Sequence, residues 1–236
     1  MSSAPSITIR NMTGDWTIDK SKSKNLDAAL KLQGIGWLRR KAVLSGTVTL
    51  KIVQSTSTST PPLTGTTTSV NCSGSDLDTE LITRITAQQG LRGVFPGVEQ
   101  TRSLDWTETS QVDAVSGSAL LVRSRFVRGI KDGEGRVRPV LKVETAGSKQ
   151  DRSDVEAYLG SSVSAPVETA EGGGETAREK AFVQDFIRCE ELGWTVEQIW
   201  AVEKIGSGIF LTCKVVATKG SSAEQACLVY QPEGQK

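Results

Sequence analysis

Three carboxylates and one phenol are the residues in this sequence best placed to act on a bound molecule. Asp105 and Glu108 lie in the alternating segment TRSLDWTE (101–108), Glu197 opens EQIWAVEKI (197–205), and Tyr230 sits close to the C-terminus. A carboxylic acid taken out of water holds its proton to higher pH and can donate it to a substrate. A tyrosine hydroxyl can polarise a carbonyl or hydroxyl by donating a hydrogen bond. Each carboxylate is also readable as an ordinary ion-pair partner on a strand face. Arg102, Arg123 and Arg125 are candidates to hold a ligand's polar group. The last two share one face of ALLVRSRFV (119–127), where a surface charge ladder is the simpler reading. Trp37, Trp106, Trp194 and Trp200 could form the apolar wall of a site, although a row of tryptophans is more often plain core.

The chain has no histidine. That excludes histidine-based triads, histidine-bearing zinc sites and the usual proton shuttle of neutral pH. No strand, glycine-rich turn and helix combine into a nucleotide fingerprint, and GSGIF (206–210) falls between two strand patterns, where it reads as a hairpin turn. No cofactor and no metal are therefore expected. The chemistry left is that of an enclosed apolar site that folds a substrate into a reactive shape, excludes water and polarises one group.

Charge points to the same class. With 28 Lys and Arg against 27 Asp and Glu, the net charge is +1, and no basic run alternates with aromatics, so neither nucleic acid nor an anionic membrane is an expected partner. The N-terminal MSSAPSITIR lacks the sections of a secretory signal, and no apolar run approaches the roughly 18 residues of a membrane span. We expect a soluble, cytoplasmic protein. Cys72, Cys189, Cys213 and Cys227 are far apart and unpaired by any C-x-x-C spacing, which fits free thiols in a reducing compartment.

The elements that must position these groups follow a recognisable order. A short strand around Trp16 is followed by two small helices over about 25–44, broken at residues 34–36, with Asn25 as N-cap. Residues 47–53, TVTLKIV, alternate as a strand. Residues 102–108 read as one strand with Arg102, Trp106 and Glu108 on a common side. Residues 181–190 fit a strand or the start of a helix. A meander closes the chain at 194–205, 209–218 and 223–231, with Trp194, Gln198 and Trp200 on one face and Glu197 and Glu203 on the other. Two polar segments, 55–76 and 145–178, read as long loop insertions, the second with one helical turn near 155–159. The prediction is mainly β: an antiparallel barrel of one domain over 1–236, with a helix-turn-helix lid.

Gly14, Trp16, Asn25, Leu26, Asp27, Gly34, Gly36, Arg40 and Lys41 follow one another in an order that resembles the opening of the intracellular fatty-acid-binding proteins, where a G-x-W strand leads to an N-(F/L)-D helix, a G-x-G break and a basic pair. The closing Leu228-Val229-Tyr230 also resembles that family's last strand. Its carboxylate-holding R-x-Y pair is absent, because Leu228 occupies the Arg position. The blocks LQGIGWLRRKAV (32–43), TRSLDWTE (101–108) and EQIWAVEKI (197–205) are similar to fungal lipocalin-like proteins of natural-product pathways. These resemblances imply a calycin or lipocalin-like barrel holding a hydrophobic small molecule. They point to a cofactor-independent cyclase or isomerase on a polyketide or terpenoid intermediate, with a non-catalytic carrier as the alternative.

Overall fold

The structure, a computed structural model, describes residues 7–58, 81–113, 115–145, 149–164 and 178–234. The chain enters through β1 (Gly14–Ile18), rises into two helices, α1 (Leu26–Leu32) and α2 (Trp37–Ser45), and returns along β2 (Val48–Thr58). The strands β3 (Leu81–Leu91), β4 (Phe95–Ser103), β5 (Thr109–Val112) and β6 (Ala119–Val127) continue the meander. A small hairpin of β7 (Gly129–Lys131) and β8 (Val137–Pro139) precedes α3 (Lys149–Leu159). The last four strands are β9 (Phe182–Cys189), β10 (Trp194–Ile205), β11 (Gly208–Lys219) and β12 (Ser222–Pro232).

Ten strands make one antiparallel sheet in the order β4-β3-β2-β1-β12-β11-β10-β9-β6-β5. The first and last strands of the chain are neighbours, with Ile18 opposite Tyr230. The two outermost strands, β4 and β5, meet without a backbone ladder between them. Side-chain amides bridge that seam instead: Gln100 Nε2 donates to Val112 O at 3.0 Å and Gln111 Nε2 to Thr101 O at 3.1 Å. The sheet is thus a nearly closed barrel, which leaves little unpaired edge.

Strand alternation sets what faces inward. Trp16, Val48, Leu50, Ile52, Trp194, Val196, Leu211, Val215, Leu228 and Tyr230 belong to one buried cluster inside the barrel. Trp16 is 1% exposed and donates its indole N–H to Met12 O at 3.0 Å, so the G-x-W tryptophan plugs the barrel as a satisfied core residue. A second cluster lies outside the wall. There Phe182, Ile199, Ala201 and Val216, on outward positions of β9 to β11, pack under Val137, Val155, Leu159 and Val163 of the β8–α3 insertion. This stretch of wall is buried on both faces.

Several expectations change in detail. The helix-turn-helix and the closing meander stand nearly where they were expected, and residues 181–190 resolve as a strand. Asn25 sits at the start of α1 in a left-handed conformation (φ 59°) with no side-chain cap; its amide donates instead to Gln225 O at 2.6 Å, tying the lid to β12. The strand expected over 102–108 stops at Ser103. Asp105 Oδ1 accepts from Thr107 N at 2.9 Å, a local turn that competes with the ladder, and Trp106 turns to φ 68°. Arg102, Trp106 and Glu108 therefore do not share a face. Of the expected insertion at 55–76, residues 55–58 extend β2 and the remainder lies outside the described residues. Within 145–178 the single expected helical turn is the eleven-residue α3. Cys189, Cys213 and Cys227 are free thiols, and Cys72 lies outside the described residues.

Candidate functional site

Inward alternation and the lid leave an interior cavity in two lobes. The upper lobe, about 220 Å³, lies beneath Leu26, Ala29 and Leu30 of α1 and Val43 of α2, against Trp194, Val196 and Ala226. The deeper lobe, about 130 Å³, is bounded by Met12, Ile52, Arg102, Asp185 and Trp200. Gln89, Gln100, Leu120, Ile187, Gln198, Leu228 and Tyr230 line both, so the lobes adjoin along a common wall. A larger depression, about 530 Å³, lies on the outside of β1 to β3 around Asp15, Thr49, Lys51 and Arg92, crossed by an Arg92–Glu233 ion pair. It is open to solvent and polar-rimmed, and offers an apolar molecule little desolvation. The interior is the candidate site.

The lid is fixed by its basic residues. Arg39 donates to Val115 O at 2.6 Å in the β5–β6 turn, and Arg40 donates to Asp27 Oδ1 and Ile35 O, both at 2.8 Å. These arginines clamp helix to helix and helix to rim.

At the floor of the deeper lobe sits a buried charge pair. Asp185, whose side chain is 2% exposed, meets Arg102 at 3.2 Å, and that arginine side chain is only 14% exposed. Asp185 Oδ1 also accepts from Ser124 Oγ at 2.6 Å, and Oδ2 from Trp200 Nε1 at 2.9 Å. Both carboxylate oxygens are thus engaged and the charge is compensated in place, as a buried ion requires. Donors remain uncommitted around it. Arg102 Nε and Trp194 Nε1 are buried without a partner among the described residues. Tyr230 stacks against Trp200 with ring centroids 6.1 Å apart. Burial pushes the Tyr230 phenol well above the usual range, so it stays protonated and able to donate.

The structure sorts the sequence candidates by strand face. Arg102, Trp194, Trp200 and Tyr230 come together on the cavity wall. Glu108 lies outside the barrel, paired to Arg188 at 3.1 Å and Arg123 at 3.5 Å, the charge-ladder reading. Asp105 is exposed in its turn. Arg125 donates to Gln184 Oε1 at 2.9 Å and lies 4.2 Å over the Trp106 ring, with Arg123 at 5.6 Å from that ring, all on the outer surface. Trp37 is 63% exposed at the start of α2, where no residue is buried, and does not reach the cavity.

Glu197 is fully buried but on the outer face of β10. Its carboxylate accepts from Thr145 Oγ1 (2.8 Å), the amides of Glu144 and Thr145 (each 3.2 Å) and Gln184 Nε2 (2.6 Å). Burial raises its pKa, and these donors oppose the rise. It fastens the strap at 144–145 to the wall and has no route to the cavity.

Gln198, on the face of Trp194 and Trp200, also lines the cavity, and Asp185 and Ser124 complete the site without any sequence expectation for them. The alternation Val183, Asp185, Ile187, Cys189 inside FVQDFIRC carried the signal for Asp185: a lone acid on an otherwise apolar strand face. Among the described residues no group of three carboxylate or thiol side chains converges to hold a metal ion, and no helix is long and apolar enough to cross a membrane.

No family model and no curated protein matches the sequence. Among solved structures, the chain is similar to Echinococcus granulosus fatty-acid-binding protein 1, at 10% identity and a TM-score of 0.44 over 94% of this chain and 97% of that one. It is also similar to apo lipid binding protein 8 of Caenorhabditis elegans, at 12% identity and a TM-score of 0.46 over 94% and 95% of the two chains.

Proposed function

We propose that this chain binds a hydrophobic small molecule reversibly inside the barrel, as a carrier or sequestering protein. One observation supports this reading above a catalytic one. Both carboxylates that line the cavity are engaged: Asp185 by Arg102, Ser124 and Trp200, and Asp113, at the upper lobe, by the amides of Val115 and Ser116 and the Ser116 hydroxyl. The other carboxylates that sequence reasoning put forward as proton donors, Asp105, Glu108 and Glu197, stand outside the cavity. An apolar chamber with fixed hydrogen-bond donors and no available acid–base pair holds a molecule better than it transforms one.

A cyclase or isomerase acting on a polyketide- or terpenoid-derived intermediate is the second reading. It draws on the Tyr230 hydroxyl, which makes no hydrogen bond to the described residues and can polarise a substrate carbonyl while the walls fold the chain. Incubating purified protein with such intermediates, measuring binding by quenching of Trp194 and Trp200 and analysing the recovered compounds, separates the two. The carrier reading expects saturable quenching and unchanged compounds. Conversion that disappears in Tyr230→Phe while binding persists would replace it with the enzyme.

A further inference from the structure

Resting on the cavity-binding reading, we propose that the ligand is uncharged and carries a hydrogen-bond-accepting oxygen, which docks in the deeper lobe against Arg102 and Tyr230 while its apolar body fills the lobe beneath α1. The deeper lobe contains one cation and one anion, Arg102 and Asp185, 3.2 Å apart and already neutralising each other. A ligand carboxylate would place a second negative charge beside a fully buried aspartate, and its only compensating cation is the one Asp185 holds. Like charges confined to a low-dielectric pocket repel strongly, so the acid could enter only by taking up a proton, which at neutral pH weakens its binding.

A ligand ammonium fares no better. Both oxygens of Asp185 are committed to Ser124 and Trp200 as well as to Arg102, Asp113 at the upper lobe accepts from the amides of Val115 and Ser116 and the Ser116 hydroxyl, and Glu197 and Glu203 lie on the outer side of β10. Two donors are left over: among the described residues Arg102 Nε is buried without a partner, and the Tyr230 phenol is protonated. A buried donor without an acceptor destabilises the empty pocket, and an ester, ketone or ether oxygen satisfies it without adding charge. The apolar contacts of Leu26, Ala29 and Leu30 above then take the hydrocarbon portion. The Arg102–Asp185 pair acts here as a filter that selects polarity without charge.

The test is a chain-matched titration at neutral pH with methyl dodecanoate, dodecanoic acid and dodecylamine, followed by tryptophan quenching. The ester should bind at least about tenfold more tightly than the acid or the amine. Asp185→Asn releases Arg102 and should erase the ester's advantage, the acid gaining at least about tenfold on the ester. Should that variant not fold, the double variant Arg102→Met, Asp185→Leu removes both charges together and leaves Tyr230 as the remaining donor, so its preference for the ester over a hydrocarbon chain of equal length should shrink at least about threefold relative to wild type. If the acid binds the wild-type protein as tightly as the ester, the inference falls and cavity binding stands. If none of the three probes binds, the cavity-binding reading falls and takes the inference with it.

Discussion

Buried carboxylates are made tolerable in this protein by two different means. Asp185 is held by a cation, whereas Glu197 and Glu203 rely chiefly on hydrogen-bond donors. For Glu203, desolvation raises the pKa above the ordinary 4.5, against the opposing bond from Thr212 and the charge of Lys214. Its folded state therefore keeps the proton to higher pH than the unfolded chain does. The stability this contributes is complete below pH 4.5 and is lost as pH rises through the raised value. Glu203→Gln cannot ionise, so its stability relative to wild type should increase from pH 4.5 towards neutrality. Urea denaturation across that range checks this, and a constant difference between the two proteins would contradict it. Asp19 behaves oppositely. Although desolvation raises its pKa, the bonds from Lys22 and Ser21 outweigh that effect and bring it to about 2, so its contribution is present above pH 3.8 and lost as pH falls towards that value.

At the scale of elements, the wall β9–β10–β11 is covered twice, by the apolar side chains of the barrel interior and by the β8–α3 insertion outside. Glu197 is the polar fastener of the outer layer. Glu197→Ala would leave the Glu144 and Thr145 amides and the Gln184 side chain without their acceptor, and should cost about 3 kcal/mol in urea-determined stability. Because the residue faces away from the cavity, ligand affinity should stay within about twofold, once the protein is folded. A loss of binding larger than the loss of stability would return Glu197 to the site.

The double covering also explains which parts of the fold were legible in the sequence. The closing meander and the helical lid could be read because alternation and the glycine break are local. Parity showed that Trp194 and Glu197 point to opposite faces, but not which face was inner, since the insertion buries the outer one as well. The strand through Arg102 is shorter than its alternation predicts because the Asp105 turn ends it by a side-chain bond that periodicity does not register. Asp185 was missed because its partners Arg102 and Ser124 reach it from β4 and β6, and only the barrel's curvature brings β4 to face β9.

For the molecule as a whole, the barrel joins its termini through β1 and β12, clamps a lid over one opening with Arg39 and Arg40, and closes its last seam with Gln100 and Gln111. These devices leave an enclosed chamber whose lower end is polar but neutral overall. The outer groove around Asp15, Lys51 and Arg92 is the rival location for a ligand, and it differs in being open and charged. A crystal structure of the protein with a bound long-chain ester decides between them directly. Ligand density is expected within the barrel, beneath Leu26, Ala29 and Leu30, with the ester oxygen within hydrogen-bonding distance of Arg102 or Tyr230. Ligand lying in the outer groove, with the barrel interior empty, would contradict it.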